Sequence, residues 1–335
     1  MVPQAGLDTR TWREVTELGG QLAQLPDLPD VSSGASIALV FDWENWWAID
    51  GRDHPIALDY LTLAHRWHAA LHRQNLAVDI VNTTSDLSAY SLVVAPQQYL
   101  LGDEGAANLS AYVEQGGNLF ISAFSDVVDQ DDAFREGGFI VSLREVLGVA
   151  LEDFGALVPP ESVRSADSAG EVASHAVPDG PGQSEAPLDG PAGRIVGQYF
   201  AEELIVQDAE VLGRFTEGRT AGRAAFTRKR AGAGNGFYLA TIPDDAGMTA
   251  VLGWLASEAG VAAEIPGLPE HVEIARRGSI LTVINHSAAP IDVDVIGTDM
   301  LTGSTDARRE LGAFGWAFID TSDSPPPHHS QKENS

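Results

Sequence analysis

The chain has no cysteine among its 335 residues. Disulfides, zinc–thiolate sites, iron–sulfur clusters and every cysteine-nucleophile mechanism are excluded at once. Basic residues are scarce, with 20 Lys and Arg against 48 Asp and Glu and a formal net charge of −28. A field of that sign repels phosphate backbones and anionic lipid, so neither nucleic acid nor a membrane surface is an expected partner. Long apolar runs are missing as well, since no stretch approaches the roughly 20 residues a membrane span requires. The N-terminal MVPQAGLDTRTWREVTELGG lacks the basic and apolar regions of a signal peptide. A cytoplasmic protein is the expectation.

What is present is an ordinary globular composition, 44% hydrophobic and 20% charged, long enough for two domains. Residues 8–25 read as an amphipathic helix, with Asp8 or Thr9 as cap and Trp12, Val15, Leu18, Leu22 and Leu25 at spacings of three and four. A lone helix with an apolar stripe must pack on something. PDLPD at 26–30 ends it as a linker.

From 35 to about 150, strand and helix patterns alternate. SIALVF (36–41), AVDIVN (77–82), YSLVVAP (90–96) and NLFISAF (118–124) read as strands, with helices at 57–75, 102–116 and 139–149. The strands are continuous apolar runs, as in sheets covered on both faces. The expected fold is α/β: a doubly wound, mostly parallel sheet of the class I amidotransferase or flavodoxin-like kind, with ligand-prone loops at the strand C-termini. Residues 152–194 are rich in Ser, Gly, Pro and Asp and read as a mobile insertion or irregular connector. Strands resume at 194–206 and 209–215, then a hairpin at 224–243 and a helix at 247–261. Short alternating strands from 264 to 320 predict a small antiparallel β-sandwich, and 321–335 a disordered tail.

The stretch FDWENWWAID (41–50) gathers three of the seven tryptophans, Trp43, Trp46 and Trp47, with Asp42, Glu44 and Asn45. Aromatic faces beside two carboxylates suit sugar chemistry. The same tryptophans suit an interface, where aromatic residues concentrate. Read as an extended loop, the stretch sends 42 and 44 to one side and 43 to the other. Packing or interface use is the favoured reading, with Trp43, Trp46 and Trp47 as the contacting residues and no catalytic role for Asp42 or Glu44.

Other candidates weaken on inspection. His65, His68 and His72 share one helical face, yet there is no HExxH and no matching acid, so a solvated histidine face is favoured over a metal site. GAGNG (232–236) resembles a phosphate-cradling loop, but a strand follows it where a helix should open, so Asn235-Gly236 reads as a hairpin turn. The serines of ISAFSD (121–126) follow a strand without GxSxG. In class I glutamine amidotransferases the nucleophile after such a strand is cysteine, and here Ala123 and Phe124 stand in that region. No catalytic residue, cofactor or metal is assigned.

A set of runs, MVPQAGLDTRTWREVTELG, FDWENWWA, AYSLVVAPQQYLL, AYVEQGGNLFIS, LREVLGV and MLTG, in this order, resembles the C-terminal portion of glycoside hydrolase family 42 β-galactosidases. The resemblance covers 1–320 and departs from the family pattern at Gln4, where histidine is usual. It implies a terminal helix left over from a catalytic TIM barrel (1–30), an α/β trimerisation domain (35–262) and a C-terminal β-domain (264–320). Both catalytic glutamates of the family would lie upstream of Met1. The implied chain is the assembly portion of a β-galactosidase, a homotrimer, inactive alone, with galactosides bound only by the full-length parent. A free-standing assembly or carbohydrate-binding module is the alternative, and an amidotransferase-like hydrolase a third reading.

Overall fold

The computed structural model describes residues 4–26, 33–51, 54, 58–157 and 184–322. Residues 27–30 of the linker expected at 26–30, most of the Ser/Gly/Pro-rich 152–194 segment and the tail beyond 322 lie outside the described residues. The chain divides into two units, Ala35–Ala263 and a second made of Met1–Gly34 with Glu264–Ser335.

The larger unit begins as the sequence suggests. Strand β1 (Ile37–Val40) is buried at every residue and pairs in parallel with β2 (Val78–Val81) and β3 (Leu92–Ala95). β3 in turn pairs in parallel with β4 (Asn118–Ser122). Helix α2 (Trp43–Ile49) and helix α3 (Tyr60–His72) follow β1, and helix α4 (Asp103–Glu114) follows β3. α3 is capped by Asp59, whose carboxylate accepts from Thr62 N at 2.9 Å, and it buries Leu63, Trp67, Ala70 and Leu71. The runs of β1, β3 and β4 lack polar alternation because both faces of these strands are covered.

Beyond β4 the expectation fails. The segment 139–149 yields only a four-residue helix, α5 (Arg144–Leu147), which Gly148 ends at φ 67. Strand β5 (Val149–Ala156) follows at once, then β6 (Ala186–Gly190), β7 (Gly193–Val206), β8 (Glu210–Phe215), β9 (Ala224–Ala231), β10 (Gly234–Leu239) and β11 (Thr241–Pro243), closed by helix α6 (Asp245–Glu258). All join one 11-stranded sheet in the order β11-β7-β6-β8-β9-β10-β4-β3-β1-β2, with β5 also on β7. Four pairings are parallel, β1–β2, β1–β3, β3–β4 and β4–β10. Six are antiparallel.

The sheet is therefore mixed, and the doubly wound, mostly parallel, flavodoxin-like architecture is overturned. The physical reason lies in the connections. Residues 191–192 and 232–233 join the paired strands β6 to β7 and β9 to β10. A parallel return needs a crossover of about a dozen residues or more, so these strands must run antiparallel.

The second unit holds helix α1 (Arg10–Leu22) and strands β12 (Val272–Arg277), β13 (Ile280–Asn285), β14 (Ile291–Asp294), β15 (Thr298–Asp299), β16 (Arg308–Leu311) and β17 (Trp316–Asp320). The strands form a four-stranded sheet, β12-β13-β17-β15, and a two-stranded one, β14-β16, every pairing antiparallel. Val272, Leu281, Val283, Val293, Leu311 and Ile319 build their core. Thr9 caps α1 by accepting from Trp12 N at 3.2 Å, and Gln21 Oε1 accepts from Trp316 Nε1 at 2.8 Å. No residue of α1 is buried, and Val15, Leu18 and Leu22 of its apolar stripe are exposed. Among the described residues no helix is long and apolar enough to cross a membrane.

Candidate functional site

The loops after β1, β3 and β4 meet around the FDWENWW segment, where Asn45 bonds Gln97 and Gln98, and Gln98 bonds Ser125. FDWENWW is helical from Trp43 onward, which corrects the extended-loop reading and its alternation argument. Asp42, at φ −118, stands at the N-cap position, and Glu44 lies in the first turn, where a negative charge suits the helix dipole. Yet Asp42 makes no side-chain cap bond. Its carboxylate instead accepts from Gln98 Nε2 at 3.0 Å and from Thr83 N at 3.3 Å. Burial raises its pKa against those bonds, and the charge of Glu44 adds to the rise.

The tryptophans divide. Trp46 is half-buried and packs on the core. Trp43 and Trp47 are 57% and 66% exposed. Phe41 meets Trp43 edge-on at 5.3 Å and stacks on Tyr60 at 5.4 Å, while Trp43 and Trp46 lie 5.4 Å apart. Leu61 on α3 and Ile80 on the edge strand β2 are exposed as well.

Under α2 lies a buried polar network. Asn45, fully buried, donates from Nδ2 to Gln97 O at 3.0 Å and to Gln98 Oε1 at 3.3 Å, and accepts from Leu100 N at 2.9 Å. Gln97 Oε1 accepts from Trp67 Nε1 at 2.9 Å, and its Nε2 donates to Ser122 Oγ. Ser125 Oγ accepts from Gln98 N at 3.0 Å. The serines of ISAFSD therefore hold the loop after β3 and are not aimed at solvent.

At the elbow after β4, where an amidotransferase-like fold would hold its nucleophile, stands Phe124 at φ 65. Its ring stacks on Tyr99 at 5.0 Å and on Phe200 at 4.7 Å, with His54 edge-on at 5.6 Å. Its amide donates to Glu202 Oε1 at 2.9 Å. Glu202 is buried, and burial pushes its pKa to about 7 despite hydrogen bonds from Tyr238 and Phe124. Asp126, fully buried, accepts from Ser142 N at 2.7 Å and pairs with Arg135 at 3.3 Å. Aromatic rings and satisfied carboxylates thus fill this end of the sheet.

The remaining candidates are structural. His65 is exposed, and the rings of His68 and His72 stack at 6.1 Å. Among the described residues no three His, Asp or Glu gather as a metal site. GAGNG is a two-residue turn at Gly232-Ala233, with Ala231 paired to Gly234, so Asn235 and Gly236 lie inside β10 rather than in the turn. A groove of about 410 Å³ near the N-terminal ends of β3 and β4 is lined by Tyr90, Asn108, Tyr112 and Asn118. Their polar groups turn inward: Asn108 bonds the carbonyls of Thr83 and Ser85, and Tyr112 that of Tyr90.

Sequence reasoning missed Asn45, Gln97, Gln98 and Glu202 as a group. The one available signal was two adjacent amides, Gln97-Gln98, directly after a wholly apolar strand. Such residues at a covered sheet end must find partners.

A family model described as the β-galactosidase trimerisation domain matches residues 35–262. The chain is 33% identical over 309 residues to a β-galactosidase of Arthrobacter sp., covering 90% of this chain and 41% of the relative. It is 32% identical over 324 residues to one of Alicyclobacillus acidocaldarius, covering 93% and 45%. Among solved structures, the β-galactosidase of Bacillus circulans sp. alkalophilus superposes with a TM-score of 0.81 at 29% identity, covering 95% of this chain and 46% of that one. The chain spans less than half the length of these relatives.

Proposed function

We propose a function from one premise: the chain belongs to the glycoside hydrolase family 42 β-galactosidases and carries their trimerisation domain. The chain assembles as a homotrimer through residues 35–262, and Trp43 and Trp47 take part in the subunit contact. Hydrolysis of terminal β-galactosides belongs to the whole enzyme, of which this chain forms the assembly portion. In the same reading α1 is the last helix of a catalytic barrel, 264–320 an accessory β-domain, and the protein resides in the cytoplasm. The exposed Val15, Leu18 and Leu22 of α1 support a missing partner for that helix.

One observation carries the contact: two indoles stand more than half exposed on a single short helix. Soluble monomers rarely leave contiguous apolar area bare. At roughly 25 cal/mol per Å², covering two indoles favours association by several kcal/mol before its entropic penalty. Asp42 and Glu44 do not enter as an acid and nucleophile. The Asp42 carboxylate is committed to Gln98 and Thr83.

Sedimentation of the full chain tests the reading. The expected mass is three times 35.5 kDa, falling to the monomer in the Trp43→Ala, Trp47→Ala double variant. A wild-type monomer at micromolar concentration would overturn it.

A further inference from the structure

We infer that Gln98 is the positioning residue for α2, the amide that holds Trp43 and Trp47 where a second copy of the chain meets them. The inference rests on the self-association reading for its consequence, and on geometry alone for its core.

α2 has seven residues and no side-chain cap. A helix that short does not hold itself in water, so tertiary contacts must fix it. Its buried residues are Asn45 and Ile49. An isoleucine in an apolar site tolerates sliding and rotation. Asn45 does not, because its bonds to Gln97 O, Gln98 Oε1 and Leu100 N are directional and point to the loop of residues 97–100.

Gln98 is the point where the contacts meet. Its Nε2 donates to Asp42 Oδ2 at 3.0 Å, and its Oε1 accepts from Asn45 Nδ2 at 3.3 Å and from Tyr60 Oη at 3.4 Å. One amide therefore grips the N-cap residue of α2, its first buried side chain and the first residue of α3. The amide's orientation follows from chemistry: an ionised carboxylate only accepts, so the NH₂ must face Asp42. Gln98 is itself anchored from below. Its N donates to Ser125 Oγ at 3.0 Å, and its O accepts from Asp126 N at 2.7 Å. Shifting α2 by a fraction of a turn would strand these groups, fully buried at Asn45 and Gln98, without partners. The helix is thus either seated or released.

The charged and titratable groups facing this point are Asp42 and Glu44 on α2 and Tyr60 on α3, and His54 Nε2 meets the far end of α2 at Ala48 O, 2.9 Å away, in all three proteins tested below. Burial raises the pKa of both Asp42 and Tyr60. Replacing the amide of Gln98 by a carboxyl would set a second acid against Asp42. Two carboxyls at hydrogen-bond distance cannot both ionise without strong repulsion, but they share one proton readily.

The test uses the full chain and three proteins: wild type, Gln98→Glu, and Asp42→Asn with Gln98→Glu. The double variant exchanges donor and acceptor, the amide now standing at 42 and the carboxylate at 98. Two readouts are taken, hydrogen-exchange protection of the Trp46 and Asp50 amides, which close α2 on Asp42 O and Trp46 O, and sedimentation. At pH 8 Gln98→Glu is expected to lose at least tenfold in α2 protection and at least tenfold in association. The amides of Phe120 and Phe237 in the central strands should stay protected. The double variant should recover both readouts at pH 8, and Gln98→Glu alone should recover them near pH 5. Should Gln98→Glu lose protection in the central strands too, Gln98→Met, uncharged and similar in size, takes its place with the same expectation for α2.

Unchanged α2 protection in Gln98→Glu at pH 8, or no recovery in the double variant, overturns the inference. Loss and recovery of protection with all three proteins monomeric supports the positioning role and removes the self-association reading instead. A general structural defect would not reverse on exchanging donor with acceptor.

Discussion

Glu202 Oε2 accepts a hydrogen bond from Tyr238 Oη at 2.5 Å, and both residues are fully or almost fully buried. The pair joins β7 to β10, which are not neighbours in the sheet. Through its other oxygen the same carboxyl holds the amide of Phe124 in the elbow after β4. The arrangement ties the antiparallel half of the sheet to the parallel half. Burial drives the pKa of Tyr238 upward, and the charge of Glu202 drives it further, so the phenol stays protonated and remains the donor.

Glu202 makes stability pH-dependent. Its pKa rises from 4.5 to about 7 on folding, so the folded state binds the proton more tightly. Its stabilising contribution is therefore complete below about pH 4.5 and lost as pH rises to about 7, flattening above. At about 1.4 kcal/mol per pKa unit the loss is roughly 3–4 kcal/mol. Glu202→Gln keeps an acceptor for Phe124 N without a titrating proton. Urea unfolding between pH 4.5 and 8 should show a downward slope in the wild type that is largely removed in the variant. Equal slopes would refute the assignment.

The three tryptophans should part company under substitution. Trp46 packs on the core, so Trp46→Ala should lower unfolding stability by about 2 kcal/mol. Trp43 and Trp47, largely exposed, should each change the stability of the isolated subunit by less than about 1 kcal/mol while weakening association. Dilute-sample denaturation separates the two effects. Equal stability losses at all three positions would mean that α2 is held differently.

The legibility of the fold stopped at β4 for a physical reason. β1, β3 and β4 are apolar runs that read as covered strands, and α3 and α4 carry recognisable caps and periodicity. An apolar run does not declare its direction. Direction is written in the connections, such as the two residues between Ala231 and Gly234, which are too few for a parallel return. At the candidate site the aromatic and acidic residues were visible, and their helical conformation was not. The groups that seat Asn45 of α2 are the Gln97 carbonyl, the Gln98 side chain and the Leu100 amide, all more than fifty residues away, and no local pattern links them to Asn45.

The polypeptide alone should not hydrolyse a chromogenic β-galactoside. A retaining glycosidase needs one carboxyl as nucleophile and another as acid, about 5–5.5 Å apart across the substrate. Asp42 is hydrogen-bonded to Gln98 and Thr83, and Glu44 is exposed in the first turn of α2. Asp42→Asn and Glu44→Gln should therefore leave a rate indistinguishable from buffer. Turnover that disappears in either variant would place catalysis at FDWENWW after all.

The glycines of GAGNG matter for packing rather than for phosphate. Gly236 lies within β10, and a methyl group added there would fall on the carbonyl oxygen of Val146 in α5, with Leu147 Cδ2 at 3.2 Å. The obstruction is backbone, so it cannot turn aside as a side-chain tip would. Either α5 moves off the sheet, or β10 shifts against β4 and β9, between which it pairs. Gly236→Ala should therefore lower stability by about 2–3 kcal/mol, the upper part of the usual range for overpacking a filled core. Gly20, in the interior of α1, has nothing within 4 Å of the same added methyl. Gly20→Ala should leave stability unchanged or raise it by up to about 1 kcal/mol, as expected for an exposed helix site. Urea denaturation followed by circular dichroism compares the two directly. A Gly236→Ala protein as stable as the wild type would mean that α5 yields freely and does not brace the sheet.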